Sequence, residues 1–477
     1  MGAVSDQGER EMDEQPDRDL GVAVSGGGHR ATVFGLGALL ALSDHRLNKR
    51  VASISSVSGG SVANGIVLMD IDFGTATGAE FETHIAPRLA AIAKRGVLLE
   101  GAPATAWYIR SLIWSGVVLG ASLIALIVSA FIRLRVLAIV SLAVAVVAGL
   151  VAWVLFRRRS EHTQAAIDKE LLGDKNVTFG QLGERSVHHV ICTTELQSGE
   201  SFYWSPRMAY GYRFGHGDPA NTPVSLAVQA SACVPGAFNP RVVNLGPLHM
   251  SKDSGVPHVV LNDGGTYDNM ADQWEYGFAN RLTRWPELGG LQSKVSRLLV
   301  VNASKGWEKI DPVKSGGLSV EKAGLMRSQG VQYDVSTAHR RQAIYREFVE
   351  AERSGQGITG AFAQIGRSPY EIVDFFENPE NDDGSALFAQ RKDRAGNADK
   401  YLGEMGYKRD WWQTTTNANA GVATTLARLN GKKAGGRNVT AELLEHGYVL
   451  TVINLHVLHD LVPLAPIERE RFARLCQ

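Results

Sequence analysis

The chain has 477 residues, 44% of them hydrophobic and 8% aromatic, with 49 basic and 49 acidic side chains and no formal net charge. This composition excludes a disordered chain, and the lack of a basic, aromatic-interleaved recognition motif excludes nucleic acid as the expected partner. The three cysteines, Cys192, Cys233 and Cys476, fit neither a disulfide framework nor a metal-ligand spacing, and read as buried, inert thiols of a reducing compartment.

Residues 1–19 are acidic and polar and lack the basic-then-apolar pattern of a secretory signal, so they read as a short disordered tail. Gly2 does not complete a myristoylation motif, because Asp6 stands where Ser or Thr is needed. The segment LGVAVSGGGHRATVFGLGALLAL at 20–42 is a short apolar strand, Leu20–Val24, then three glycines, then apolar residues at helical spacing. Two chemistries fit that turn. Gly26 to Ala31 matches G-x-G-x-x-A with Asp44 eighteen positions after Gly26, the outline of a dinucleotide site. Alternatively Gly26, Gly27 and Gly28 present backbone N–H groups at a helix N-terminus, where developing negative charge is stabilised.

A second strand, Val51–Val57, runs into Ser58-Gly59-Gly60 and a helix over Ser61–Met69. An alkoxide nucleophile needs a sharp strand-to-helix elbow with small neighbours, and Ser56-Val57-Ser58-Gly59-Gly60 supplies one, with Ser58 projecting and the Gly59 N–H beside it. Serine at 56 replaces the usual glycine. Ser55, Ser56 and Ser61 read as turn and cap hydroxyls, and a plain capping turn is the alternative for the whole stretch.

Two uncharged apolar runs follow, Ser111–Ile132 and Val136–Phe156, split only by Arg133-Leu134-Arg135. Each is long enough to cross the roughly 30 Å core of a bilayer, and so short a linker makes them an antiparallel hairpin with both ends on one side. Arg157-Arg158-Arg159, Arg110 and Lys94-Arg95 outweigh the two arginines of the turn, which places the bulk of the chain on the cytoplasmic face. Trp107, Tyr108, Trp114 and Trp153 mark the headgroup level. Gly116 with Gly120, and Ala145 with Gly149, are small pairs that let helices approach, within the hairpin or between protomers of a homo-oligomer.

Residues 160–190 are polar and helical in pattern, and Val187–Cys192 begins the next strand. HVVLNDGGTYDN at 258–269 is an apolar strand that delivers Asp263 into a Gly-Gly turn, the position where an open α/β sheet places its site. Asp-Gly after a strand also signals a hairpin, but beside the other two motifs Asp263 reads as a base. Arg297–Asn302 is a further strand, and the alternation of strands and helices indicates a parallel sheet with helices on both faces. Residues 303–435 read as a lid or an insertion, with an exposed loop at 377–385. His29 and His258, the histidines nearest the motifs, read as loop packing and a strand residue. No metal-ligand cluster and no need for a cofactor is legible.

Taken together, GGGHR at 26–30, SVSGGS at 56–61 and DGGTYDN at 263–269 resemble the glycine loop, nucleophile motif and DGG motif of the patatin-like phospholipases. TTELQSGE at 193–200, ASACVPGAFNP at 230–240 and HGYVLT at 446–451 resemble supporting stretches of that family. The resemblance implies an α/β, three-layer sandwich with a mostly parallel central sheet, divided into a first part at 20–109, the hairpin at 110–157 and a second part at 158–477. It implies a Ser58–Asp263 dyad without histidine, an oxyanion hole from the N–H groups of Gly26, Gly27, Gly28 and Gly59, and Arg30 as a structural or headgroup-phosphate contact. The expected activity is hydrolysis of carboxylic esters of membrane phospholipids or related lipids. The alternative is a lipid-binding or scaffold protein that keeps the fold without the chemistry.

Overall fold

Short apolar runs separated by glycine turns form the sheet in the computed structural model, which describes residues 18–96, 99, 102–304, 318–409 and 439–477. Five strands are parallel, in the order β10 (Thr359–Gln364), β9 (Arg297–Asn302), β1 (Leu20–Val24), β2 (Val51–Val57) and β3 (His188–Glu195). Every residue of β1, β2 and β3 is buried, as strands covered on both faces must be. Beyond β3 the sheet turns antiparallel through β4 (Glu200–Ser205), β5 (Met208–Gly211) and β6 (Gly215–Gly217). A further antiparallel pair, β7 (Arg241–Asn244) and β8 (His258–Asp263), joins β3 separately. The expected parallel sheet is thus the first half of a mixed one.

Helices cover both faces. One core packs α1 (His29–Asp44), α2 (Gly59–Leu68), α3 (Gly78–Arg95) and α12 (Val439–His459) against the sheet, around Phe34, Leu40, Ile54 and Leu444. The other packs α8 (Gln273–Arg284) and α9 (Leu318–Ser354) around Trp274, Phe278, Val300 and Phe348. The first core also takes in α6 (Arg159–Leu171) and α7 (Val224–Ser231), through Ile167 and Val228 among others, and the chain also forms α10 (Tyr370–Glu377), α11 (Ala386–Glu404) and α13 (Glu470–Leu475). Of the stretch 303–435, residues 318–409 thus supply a sheet strand and three helices, whereas 305–317 and 410–435 lie outside the described residues. The tail reading for 1–19 lies outside them too, except at Arg18, which donates to the Val51 carbonyl at 2.8 Å, and Asp19, which pairs with Arg50 and Arg297.

The apolar character of α1 and α12 all round is explained by their contact. A Cβ added at Gly37 would lie 2.1 Å from the Leu444 carbonyl oxygen, and one at Gly447 would lie 2.2 Å from that of Phe34. The two backbones touch, and no side chain is there to yield. Gly447→Val is therefore expected to destabilise the fold by about 3 kcal/mol, measured as a lowered denaturation midpoint of the detergent-solubilised protein.

The apolar insertion forms α4 (Pro103–Phe131) and α5 (Arg135–Arg157), both long and apolar enough to cross a membrane. They are antiparallel, since the Tyr108 hydroxyl bonds the Leu155 carbonyl and a Cβ at Gly149 would meet Leu119. The surfaces that face each other carry Ser115, Ser122 and Ser129 on α4 and Ser141, Ala145 and Ala148 on α5, all buried. Gly116 and Gly120 are elsewhere: a Cβ at either meets nothing within 4 Å. The outer surface is apolar, with Phe131 85% and Val136 77% exposed.

Candidate functional site

The site arises where two strands meet end to end on one edge of β3. β2 pairs in parallel along that edge and finishes with Val57 opposite Cys192. β8 comes the other way, antiparallel, and finishes with Asp263 opposite Thr193. Because β4 holds the opposite edge over Ile191–Glu195, β2 and β8 must share this one. The residue after Val57 is Ser58, so register alone sets it against Asp263. Its Oγ donates to Asp263 Oδ2 at 2.9 Å.

Ser58 turns the chain with φ 53° and ψ −120°. Such a conformation costs a non-glycine residue about 1–3 kcal/mol, and bonds on both sides hold it. Its N–H donates to Ser231 Oγ at 3.0 Å, and its carbonyl accepts from Ser61 and Val62 at the start of α2. Ser231, at the end of α7, also donates to the Cys192 carbonyl at 2.6 Å and lies 2.8 Å from Ser61 Oγ. The neighbouring serines are structural. Ser55 donates to the Ala271 carbonyl and Ser56 to that of Val190, both inside β2 rather than in a turn, so neither is a cap.

Asp263 is buried, and burial pushes its carboxyl up to about 6 from an ordinary 3.8, against the lowering effect of hydrogen bonds from Ser58 and the Gly265 N–H. The second of these reaches Oδ1 at 2.8 Å. Backbone contacts fix the residue as well: its N–H bonds the Cys233 carbonyl and its own carbonyl accepts from Thr194 Oγ1. Gly264 follows at a point where a Cβ would lie 2.3 Å from the Cys192 carbonyl oxygen. A hydroxyl donating to a carboxylate of raised basicity is an arrangement that can pass a proton from one to the other.

The glycine loop closes the third side. A Cβ at Gly26 would lie 2.3 Å from Asn269 Oδ1 and 3.4 Å from Ser58 Cβ, so all three motifs pack together at this residue. The expectation that Gly26 donates to an oxyanion needs correction, because its N–H is taken by the Asn269 carbonyl at 2.9 Å. The N–H groups of Gly27, Gly28 and Gly59 donate to no acceptor among the described residues. Gly27 and Gly28 have φ 144° and 62°, conformations that favour glycine, immediately before the start of α1. Arg30 is the second residue of α1 and half-buried.

The remaining sequence candidates fall elsewhere. His29 opens α1 and is buried, and His258 opens β8 at the end far from Asp263. Asp44, the acidic residue of the dinucleotide reading, sits at the far end of α1, bonded by Tyr448 and Arg471. Within DGGTYDN, Asp268 accepts from the Met270 and Gln273 N–H groups and Asn269 donates to Ser304, so the sequel braces α8 and the loop after β9. The three cysteines are free and buried, and burial pushes the thiols of Cys233 and Cys476 up to about 11 and about 12. Among the described residues no group of three His, Cys, Asp or Glu side chains is placed to bind a metal ion. Ser231 lies in ASACVPGAFNP, a stretch the resemblance marked as supporting, but its spacing does not show that its hydroxyl accepts from the Ser58 N–H.

No protein-family model matches the chain, and no curated protein matches it. Among solved structures, human GIVD cytosolic phospholipase A2 aligns over 61% of this chain and 44% of its own length, with 14% identity and a TM-score of 0.35. The same human enzyme in complex with methyl gamma-linolenyl fluorophosphonate inhibitor and terbium chloride aligns over 59% and 40%, with 13% identity and a TM-score of 0.32. This chain spans less than half the length of either.

Proposed function

We propose that the protein is a membrane-anchored serine acyl hydrolase of the patatin-like type, which cleaves carboxylic esters of membrane lipids with Ser58 and Asp263. The observation that carries this reading is the 2.9 Å bond from Ser58 Oγ to a buried carboxylate of raised basicity. Asp263 takes the hydroxyl proton as Ser58 Oγ attacks the ester carbonyl, and the resulting oxyanion accepts from the N–H groups of Gly27, Gly28 and Gly59. As the tetrahedral intermediate collapses, the protonated Asp263 gives its proton to the departing alcohol, leaving an acyl-serine. Water then attacks with Asp263 again as base, and the fatty acid leaves as Ser58 recovers its proton. No metal or cofactor enters these steps. Arg30 has the charge to meet a headgroup phosphate beside the same loop.

The α4–α5 hairpin supplies the anchor, and the excess of Arg and Lys at its open end over Arg133 and Arg135 puts the catalytic part on the cytoplasmic side. Anchoring raises the local concentration of lipid, so the site needs no tight ground-state binding.

The reading is tested by incubating full-length protein in detergent with a fluorophosphonate probe and mapping the adduct by mass spectrometry. Labelling at Ser58 that vanishes in Ser58→Ala is the expected result. An unlabelled wild type of normal fold would instead favour a lipid-binding protein without chemistry.

A further inference from the structure

Between α7 and β7 the chain makes a tight turn whose five residues, Val234-Pro235-Gly236-Ala237-Phe238, are all apolar. The N–H groups of Ala237 and Phe238 both bond the Val234 carbonyl at 3.1 Å, and Gly236 at the tip has φ 82°. Val234, Gly236 and Ala237 are exposed, an unrewarding arrangement for an apolar loop in water.

Two sets of bonds fix where this turn stands. On one side it is tied to the open end of the hairpin: Arg159 Nε donates to the Ala237 carbonyl at 2.7 Å, Ser160 Oγ donates to the Asn239 carbonyl at 2.8 Å, and Asn239 Nδ2 donates to the Arg157 carbonyl. Arg157 is the last residue of α5; its guanidinium lies 4.7 Å over the Trp153 ring, and that of Arg159 lies 3.8 Å over Phe156. Arginine on aromatic rings at the end of a long apolar helix is the arrangement of a headgroup-level belt. On the other side the turn begins at Cys233, whose carbonyl accepts the Asp263 N–H at 3.2 Å and whose Sγ donates to the Asn239 carbonyl at 2.8 Å. One short loop thus touches both the place where α5 would leave a bilayer and the backbone of the candidate base.

We propose that the 234–238 turn is a lipid-facing wedge: it enters the interface of the bilayer crossed by α4 and α5 and forms the threshold over which an acyl chain of a membrane lipid reaches Ser58. The occupant is the bilayer because the turn is bonded directly to Arg159 and, through Asn239 beside it, to Arg157, and a loop so placed lies within the roughly 5–10 Å depth that interfacial apolar segments occupy. The inference rests on the membrane and acyl-hydrolase readings above and adds the route by which substrate arrives. It makes the hairpin part of the site's architecture as well as its tether.

Full-length Ser58→Ala protein carrying Ala237→Cys tests the wedge without any turnover. The three native thiols are buried, so an environment-sensitive nitrobenzoxadiazole label goes to the introduced one. Reference labels go on Ile124→Cys, 65% exposed on α4, and Leu387→Cys, 42% exposed on α11. In vesicles of phosphatidylethanolamine and phosphatidylglycerol, the label at 237 is expected to shift to the blue and to be quenched by shallow spin-labelled lipid, while the label at 387 does neither. Quenching at 124 without quenching at 237 would overturn the wedge and leave the membrane reading standing; no quenching at either would remove the two together. In active protein, Ala237→Glu is expected to slow hydrolysis of vesicle phospholipid by at least about tenfold and to spare a water-soluble butyrate ester in detergent. Equal loss on both substrates would overturn the threshold, as would a wild type that hydrolyses neither, with the label then deciding the wedge alone.

Discussion

Replacing Asp263 by Asn is expected to lower kcat for lipid ester hydrolysis by about a hundredfold to ten-thousandfold, the usual contribution of a positioned general base. The variant keeps the shape of the site. An amide oxygen still accepts from the Gly265 N–H, and the amide NH2 faces Ser58 Oγ, which then accepts instead of donating. What is lost is a place for the serine proton. Ser58→Ala and the double variant should fall to the same residual rate, because the two groups act as one unit and their losses do not add. Release of fatty acid and lysolipid from mixed phospholipids, followed by mass spectrometry, measures all three. Additive losses would assign the proton to some other group.

The pH dependence follows from the same carboxyl. Asp263 serves as base in its ionised form, so kcat/KM should climb about tenfold per pH unit below about 6 and level off above it. Stability moves the other way. The folded chain holds this proton up to about 6 and the unfolded chain only to about 3.8, so between those values the fold weakens as pH rises, by about 3 kcal/mol in all. Above pH 6 the protein carries the whole of that cost as the condition for having a base. Asp263→Asn should therefore be inactive yet more resistant to denaturant at pH 8 than the wild type, with the difference disappearing toward pH 4.

The second large effect is expected from a single methyl group. A Cβ on Gly59 would lie 1.9 Å from the carbonyl oxygen of Gly28 and 2.7 Å from its carbonyl carbon. Both obstacles are backbone. That oxygen also accepts from the Ala31 and Thr32 N–H groups at 3.1 and 3.3 Å, so it is fixed to the first turn of α1. Gly59→Ala must therefore push the loop that carries the Gly27 and Gly28 amides off its position. Loss of one oxyanion donor costs about a hundredfold to a thousandfold in kcat, and displacement of the loop threatens more than one. The same change at Gly116, where a Cβ meets nothing within 4 Å, should leave activity and stability alone. Comparing the two by turnover of a soluble ester and by thermal midpoint separates the steric effect from any general intolerance of alanine.

The sequence made the pieces of this site legible and left their assembly hidden. The strands ending at Val24, Val57 and Asp263 were readable because apolar runs stop there at glycines or a serine, and all three end at the expected residues. The meeting of β2 and β8 on one edge of β3 was not readable, since it depends on a register between segments far apart in the chain. The same is true of Gly26, whose N–H is used up by Asn269, a partner that no local pattern reveals. The serines of β2 illustrate the limit from the other direction. Hydroxyls next to glycines suggest turns, but Ser55 and Ser56 lie wholly buried in a strand and bond to the Ala271 carbonyl in the loop before α8 and the Val190 carbonyl of β3. The antiparallel half of the sheet escaped because β4, β5 and β6 are short and carry polar residues and glycine, so no long apolar run announces them.

The shared edge of β3 has a consequence for how the chain is made. Ser58 and Asp263 are 205 residues apart, and α4 and α5 lie between them. At roughly 5–20 residues per second, a ribosome needs about 10–40 s to travel from one to the other. During that interval the serine has left the ribosome without Asp263, and on the membrane-anchored reading proposed above the two apolar helices are handed to the bilayer first. The dyad is completed only when β8 arrives. On the function proposed above, a hydrolase built in this order would be mute as a free nascent chain and would acquire its chemistry only where the hairpin already tethers it.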